Sequence, residues 1–246
     1  MKIGAIIQAR TGSKRLPYKH FYKINNKPII FQLIKRLKKI SLISEIIIAT
    51  TKSKNDDKFI EIAKKNKVKI YRGKDKDCLN RIYKAALFSK LDIIVFITGD
   101  CPVFDYRIVK KILFIFLKGC YDYVGNSFIR TFPDGMDAHV FSFNTLKKIE
   151  KLCKTKNERE HVTLGIKKNF KIFKIYNLKA ENKNFWPSLA LTLDTIEDFI
   201  LIKKVISHFN KKKNYFFSCT DAIKFLKKKK NLVKINQHIK RISNFL

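Results

Sequence analysis

Short apolar runs alternate with longer stretches in which apolar residues recur every three or four positions in the first half of the chain. The short runs are rich in β-branched residues, which is typical of strands buried on both faces of a sheet. They predict strands at residues 2–7, 45–49, 68–71 and 92–97. The longer stretches predict amphipathic helices that begin near residues 28, 56, 77 and 105. This alternation predicts an α/β fold with a mostly parallel central sheet flanked by helices.

After residue 120 the pattern becomes less regular. Further strands are predicted at residues 121–124, 137–143, 170–176 and 189–193, and further helices near residues 144, 157, 195, 218 and 232. The segment between the first two of these strands is turn-rich and too polar for a core, so we interpret residues 121–143 as a substrate-side insert. We expect a main domain over residues 1–210 and a lysine-rich helical extension over residues 211–246.

The composition is that of a folded protein. Of the 246 residues, 46% are hydrophobic and 13% aromatic, which argues against disorder. No run of about 18 apolar residues predicts a membrane span, and the first apolar run is too short for a signal peptide, so we expect a cytoplasmic protein. The five cysteines are scattered without a CxxC pair, so the sequence predicts neither a disulfide framework nor a zinc site.

The formal net charge of +34 raises the question of a nucleic-acid partner. The lysines are spread through almost every segment, which indicates a bias of the whole chain rather than one binding patch. We therefore do not expect nucleic acid as a partner. A non-catalytic module that binds polyanions through its basic surface remains an alternative of a different class.

The first predicted strand is followed by a basic loop, residues 9–19, with the sequence ARTGSKRLPYK. Its small residues let the backbone approach a ligand closely, and its four cations lie within ten positions. This combination suits a polyphosphate, although neither GxxxxGK[ST] nor GxGxxG occurs in it. A solvated basic turn is the alternative that the loop alone leaves open.

Two carboxylates are the candidate metal ligands. Asp100 and Asp194 each follow a predicted strand, and in parallel sheets ligands bind beyond the carboxyl ends of the strands. Together with water and phosphate oxygens, two carboxylates there can hold Mg²⁺ for in-line attack on a nucleoside triphosphate. Asp194 is also suited to cap the following helix, and Asp100 to form an ordinary turn. His161, near Glu158, could bind an acidic substrate, act as a base or cap a helix.

The motifs, taken together, resemble those of a known family. The loop IQARTGSKRLPYK resembles the signature of the bacterial CMP-sugar synthetases, which include the Kdo and acylneuraminate cytidylyltransferases. Five further motifs in family order resemble the branch named for spore coat polysaccharide biosynthesis: RG with DCLNR at 72–81, TGDCP at 98–102, FPDGMD at 132–137, EREHVT at 158–163 and LDT at 193–195. The resemblance covers residues 1–208.

This resemblance implies a Rossmann-like nucleotide-diphospho-sugar transferase fold, with a nucleotidyltransferase domain over residues 1–210. It implies a homodimeric enzyme that transfers CMP from CTP to an acidic sugar or related anionic precursor, releasing pyrophosphate, for surface glycan synthesis. A uridylyl- or guanylyltransferase acting on a sugar phosphate is the alternative, although such enzymes usually have a glycine pair where this chain has Ala9-Arg10.

The resemblance also implies roles for individual residues. Nucleotide binding is assigned to Ala9, Arg10, Gly12, Ser13, Arg15, Lys19, Arg72, Gly73, Arg81 and Asp100. Mg²⁺ binding is assigned to Asp100 and Asp194, and these two residues, with Arg10 and Lys19, are the expected catalytic residues. Binding of the sugar acceptor is assigned to Arg130, Asp134, Gly135, Asp137, Glu158 and His161.

Overall fold

The computed structural model describes residues 1–241, and its centre is a seven-stranded sheet accompanied by a separate two-stranded hairpin. The strands are β1 (Ile3–Gln8), β2 (Lys23–Ile24), β3 (Lys27–Pro28), β4 (Glu45–Thr51), β5 (Lys69–Gly73), β6 (Ile93–Thr98), β7 (Tyr123–Gly125), β8 (His139–Ser142) and β9 (Ile175–Asn177). The helices are α1 (Ile30–Leu37), α2 (Lys58–Asn66), α3 (Cys78–Phe88), α4 (Tyr106–Lys118), α5 (Phe143–Leu152), α6 (Lys156–Glu160), α7 (Leu164–Lys168), α8 (Ile196–Lys211), α9 (Cys219–Lys228) and α10 (Lys230–Gln237).

The strand order in the large sheet is β5-β4-β1-β6-β8-β7-β9. Among these strands β8 alone runs antiparallel to its neighbours, so the predicted mostly parallel sheet is confirmed. In the register, Gln8 pairs with Ala49 on one side and with Thr98 on the other. The loops that follow β1, β4 and β6 therefore leave the sheet at one rim.

Helices cover both faces of the sheet, because each central strand is apolar on both sides. Along β1, Ala5 and Ile7 face a core layer shared with α1, α4, α8 and α9, whereas Ile6 faces the opposite layer, shared with α3 and α5. Both layers are built mainly from aliphatic residues excluded from water, which supplies the main driving force for this arrangement. The predicted α/β fold with helices on both faces is confirmed.

Several predicted elements differ from the structure. The strand predicted at 170–176 is wrong for residues 170–174, because the strand β9 begins only at Ile175. The strand predicted at 189–193 is wrong, because within residues 1–241 this extended segment forms only one bridge, from Ala190 to Asp134. Its backbone hydrogen bonds go instead to loops, including one from Leu193 N to Asp100 O of 2.8 Å. The helix predicted from Pro28 begins at Ile30, because Lys27 and Pro28 pair with β2 in the hairpin.

The lysine-rich extension is helical where the structure describes it. Helices α9 and α10 contact each other, and α10 also packs against α8. The boundary at residue 210 stays a prediction, and residues 242–246 of the predicted extension lie outside the described residues. No helix within residues 1–241 is long and apolar enough to cross a membrane.

Candidate active site

A cleft of about 1380 Å³ opens at the sheet rim where the basic loop leaves β1. Its walls are formed by the loops after β1, β5 and β6, the segment between β7 and β8 and the end of α6. Residues 187–194, before α8, and several residues within 233–241 complete the lining. Most of the predicted site residues meet in this cleft: Ala9, Arg10, Gly12, Ser13, Arg15, Lys19, Asp100, Arg130, Asp134, Asp137, His161 and Asp194.

A buried carboxylate fixes the start of the basic loop. Asp56, only 1% exposed, accepts hydrogen bonds of 2.8 Å from Thr11 N and 2.6 Å from Thr11 Oγ1. Its other oxygen accepts hydrogen bonds from both hydroxyls of Thr50 and Thr51 and from Thr51 N. Burial opposes ionisation of Asp56, but these hydrogen bonds outweigh it and lower the pKa of the carboxyl group. Asp56 thus ties the basic loop to the end of β4.

Lys19 lies between the two candidate metal ligands. Its Nζ is 2.9 Å from Asp194 Oδ1 and 3.6 Å from Asp100 Oδ2, and Arg15 Nη2 is 3.0 Å from the other oxygen of Asp194. Burial by itself would lower the pKa of Lys19, but the two carboxylates raise it, so the ammonium group is charged at neutral pH. The structure therefore brings Asp100 and Asp194 together through one shared cation.

Asp194 is not a helix cap, because Thr195 fills that position. The Thr195 side chain accepts a hydrogen bond from Asp198 N, and Asp198 completes a capping box. The carboxylate of Asp194 is consequently available to the cleft. The prediction that Asp194 follows a buried strand is wrong, as described above, yet the extended segment still delivers its side chain to the rim.

The two carboxylates fit a hard divalent cation. Both offer oxygen ligands, which Mg²⁺ prefers, and both face the cleft beside the basic loop. Within residues 1–241 no group of three or more His, Cys, Asp or Glu side chains is arranged to hold a metal ion. The remaining positions of an octahedral site would accordingly fall to water and to the oxygens of a bound ligand.

A second acidic pair occupies another part of the cleft. Arg130 makes a bidentate contact with Asp137, with both N–O distances 3.0 Å, and its Nη1 lies 3.1 Å from Asp134 Oδ1. Burial raises the pKa of Asp137 to about 6, although Arg130 acts in the opposite direction. One guanidinium thus contacts two partly buried carboxyl groups, and Arg241 is a second cation that acts on Asp134.

Arg10 bridges two walls of the cleft. Its Nη2 donates to Glu160 Oε1 at 2.7 Å, and its Nη1 lies 3.3 Å from Asp75 Oδ1. Glu160 is the last residue of α6, and Asp75 belongs to the loop after β5. Arg10, in the loop after β1, thus connects these two segments. His161 lines the cleft directly after Glu160.

Five predicted site residues lie outside the cleft lining. Arg72 pairs with Asp57 at 2.6 Å, and the fully buried Arg81 donates to the carbonyls of Lys74 and Asp75. Glu158 forms a capping box with Thr155 at the start of α6. The remaining two are Gly73 and Gly135. Gly135 has a φ of +96°, and a side chain there would collide with the backbone of Leu191.

The structure adds cleft residues that the sequence did not single out. His20 is buried below Gly99, where a side chain would collide with its ring, and burial together with Lys19 lowers the pKa of His20 to about 3. Glu160, which lies between the predicted acceptor residues Glu158 and His161, also lines the cleft. The alternating residues Ser188, Ala190 and Thr192 and the C-terminal segment 233–241 also line the cleft, and no local signal marks them.

Comparisons with known proteins agree with these observations. A family model described as cytidylyltransferase matches residues 4–240. The uncharacterized protein MJ1063 of Methanocaldococcus jannaschii is 37% identical over 99% of this chain and 98% of its own length. The spore coat polysaccharide biosynthesis protein SpsF of Bacillus subtilis is 28% identical over 80% of this chain and 83% of its own.

A solved structure covers nearly the whole chain. A cytidylyltransferase from Leptospira borgpetersenii is 37% identical, covers 98% of this chain and 100% of its own, and superposes with a TM-score of 0.90. A shorter match, 31% identical over 45% of this chain and 43% of its own length, is to the 3-deoxy-manno-octulosonate cytidylyltransferase of Geobacter metallireducens.

Proposed function

Because this chain belongs to the cytidylyltransferase family, we propose that it transfers CMP from CTP to an acidic sugar or related anionic precursor, releasing pyrophosphate. Membership confirms the resemblance drawn from the motifs and identifies the protein as a CTP-dependent nucleotidyltransferase. The names of two relatives, a 3-deoxy-manno-octulosonate cytidylyltransferase and a spore coat polysaccharide protein, support an acidic sugar and a role in surface glycan synthesis. The observation that carries the proposal is the contact of Lys19 with both Asp100 and Asp194.

The basic loop is the proposed triphosphate site. Arg10, Arg15 and Lys19 line the cleft as cations, and the backbone around Gly12 and Ser13 faces the same space. No atom lies within 4 Å of a side chain built at Gly12, so a phosphate can approach the backbone there. Each of these cations is paired with an acid in the structure, and the triphosphate competes with those acids for them.

Arg72, Gly73 and Arg81 act indirectly in this proposal. Arg81 holds the carbonyls of Lys74 and Asp75, and Asp75 lines the cleft. We therefore assign Arg81 to shaping the loop after β5, and Gly73 to leaving room for the Arg81 side chain. Arg72 instead donates to the carbonyls of Thr51 and Ser53 and holds the chain after β4. The nucleotide base is proposed to bind beside the loop after β5.

Asp100 and Asp194 are the proposed ligands of Mg²⁺. When bound, the cation supplies charge neutralisation on the reacting and leaving phosphates. The acceptor hydroxyl releases its proton to water in the cleft as its oxygen forms a bond to the α-phosphorus. The bond from this phosphorus to the β-phosphate oxygen breaks, and pyrophosphate leaves with that electron pair. Lys19 and Arg15 lie where they can stabilise the charge that develops on the phosphates.

The acceptor is proposed to bind between Arg130 and His161. Asp134 and Asp137 lie beside Arg130 in this part of the cleft and can accept hydrogen bonds from sugar hydroxyls. Gly135 shapes the loop that carries Asp134 and Asp137, and Glu158 caps the helix that leads to His161. Neither of the two lines the cleft. We also propose that the protein is a homodimer and lies in the cytoplasm. Sedimentation analysis tests the dimer.

Calorimetric titration with CTP, UTP, GTP and ATP tests the nucleotide assignment, with and without Mg²⁺ and at two salt concentrations. We expect a preference for CTP that persists at high salt, because specific contacts in a partly enclosed cleft are screened less than a basic surface. Equal, salt-sensitive binding of all four nucleotides would contradict the proposal. Asp100→Asn should remove the Mg²⁺-dependent part of CTP affinity, and sugar acids can then be screened by pyrophosphate release.

A further inference from the structure

The segment that carries Asp194 lacks the support of a sheet. Residues 188, 190, 192 and 194 face the cleft, whereas Leu189, Leu191 and Leu193 are buried in the core. This alternation is that of a strand, but within residues 1–241 the Ala190 bridge is its only strand-like pairing. The position of Asp194 therefore depends on contacts from elsewhere in the fold.

Residues 236–241 of the lysine-rich extension provide several of those contacts. Asn236, only 3% exposed, donates its Nδ2 to Ala190 O at 3.1 Å. Arg241 Nη1 donates to Thr192 Oγ1 at 3.0 Å, and this hydroxyl in turn contacts Asp134 Oδ2 at 3.4 Å. Two side chains from the C-terminal segment thus hold the cleft-facing positions that precede Asp194.

A buried carboxylate links the same two side chains to the backbone of Asp194. Asp198 is fully buried, and its Oδ2 accepts a hydrogen bond of 2.9 Å from Asp194 N. Its Oδ1 accepts hydrogen bonds from Asn236 Nδ2 at 2.7 Å and from Arg241 Nη2 at 2.6 Å. Without Arg241, the negative charge of Asp198 would have no cation in contact with it among the described ion pairs.

We infer that Arg241 is a positioning residue for Asp194, so that residues 236–241 of the lysine-rich extension support the proposed metal site. Arg241 holds the segment before Asp194 through Thr192, and it holds the backbone of Asp194 through Asp198. Groups that orient a metal ligand in this way typically change metal affinity when they are removed. The inference rests on the proposed function, because it takes Asp194 as a ligand of Mg²⁺.

The test measures the ratio of the dissociation constants of CTP in EDTA and in Mg²⁺, which reports metal binding without turnover. We expect Arg241→Ala to reduce this ratio about tenfold, so that CTP affinity falls more in Mg²⁺ than in EDTA. Arg241→Lys should retain part of the ratio, because lysine keeps the charge but cannot contact Thr192 and Asp198 as a fork. Lys240→Ala, which removes the same charge from an exposed neighbour outside the cleft lining, should leave the ratio unchanged.

A double mutant separates positioning of Asp194 from a general structural role. If Arg241 acts through Asp194, Arg241→Ala should reduce the ratio no further in a protein that already carries Asp194→Asn. The inference would be overturned if Arg241→Ala reduced the ratio by the same factor in the Asp194→Asn protein as in the wild type. It would also be overturned if Arg241→Ala weakened CTP binding equally in EDTA and in Mg²⁺. An unchanged ratio in Asp194→Asn itself would instead overturn the metal assignment in the proposed function, and the inference with it. Thermal unfolding identifies any variant that fails to fold, in which case Arg241→Lys carries the test.

Discussion

The ammonium nitrogen of Lys19 lies 2.9 Å from Oδ1 of Asp194, 175 residues later in the chain. The same nitrogen lies 3.6 Å from Asp100, so one protein cation occupies the space between the two proposed ligands of Mg²⁺. A divalent cation and the Lys19 ammonium cannot both be close to these oxygens without strong repulsion. We expect triphosphate binding to offer Lys19 other anionic partners and thereby to open the site to the metal.

The first prediction follows from this competition. Lys19→Met should raise the affinity for Mn²⁺ in the absence of nucleotide about tenfold, because the two carboxylates lose the cation that balances them. The same variant should bind CTP more weakly. Electron paramagnetic resonance of free Mn²⁺ measures the first effect and calorimetry the second, with the exposed Lys23→Met as a charge control. Unchanged Mn²⁺ affinity in Lys19→Met would show that Lys19 does not compete with the metal.

Asp56 is the next target, because it anchors the basic loop through Thr11 and also binds Thr50 and Thr51. Asp56→Ala leaves several buried donors without an acceptor, so we expect the free energy of unfolding to fall by about 3 kcal/mol. CTP affinity should also fall, because the loop loses its tie to β4. Denaturant unfolding and calorimetry measure the two effects.

Asp56→Asn serves as the milder comparison, since it keeps one acceptor oxygen and should lose less stability. If Asp56→Ala loses stability but binds CTP with unchanged affinity, the loop does not depend on this anchor.

Glu160 restrains Arg10 by a pair in which both side chains are about one-third exposed. Glu160→Gln should therefore free Arg10 for the triphosphate and tighten CTP binding about threefold, the scale of a partly exposed ion pair. Glu61→Gln removes the same charge from an exposed helical pair outside the cleft and should not change the affinity. Weaker CTP binding in Glu160→Gln would indicate that Glu160 contacts the ligand favourably.

His139 should make the protein sensitive to acid. Burial lowers its pKa from 6.5 to about 3, and its Nδ1 shares a hydrogen bond of 2.7 Å with the Tyr123 hydroxyl. Because the unfolded chain binds the proton more readily, stability present above pH 6.5 is lost as the pH falls toward 3. At pH 5, about 1.5 units below the pKa of the unfolded chain, this residue lowers the free energy of unfolding by about 2 kcal/mol, because each pH unit contributes about 1.36 kcal/mol.

The matched variant is His139→Gln, in which the free energy of unfolding should change less between pH 7 and pH 5. The raised pKa of Asp137 acts in the opposite direction in both proteins, so it cancels in the difference between them. Equal acid sensitivity of the two proteins, measured by urea unfolding at both pH values, would show that His139 does not bind a proton on unfolding.

Much of the site could be predicted because it follows directly from elements with strong local patterns. The basic loop is found at the end of β1, and Asp100 at the end of β6, where apolar runs stop at polar residues. The segment before Asp194 alternates like a strand because one side faces the core, yet it pairs with loops. The predicted strand is therefore wrong, although Asp194 lines the cleft.

Apolar periodicity predicted the central sheet and its flanking helices, because it records which face of each element must leave water. Strand order and register are set by packing between elements, so the sequence pattern did not show which distant groups meet at the rim. The contacts of Asp56 with Thr11, of Arg10 with Glu160 and of Arg241 with Thr192 span 45, 150 and 49 positions. A buried charge needs a partner, but nothing in its local sequence specifies which one.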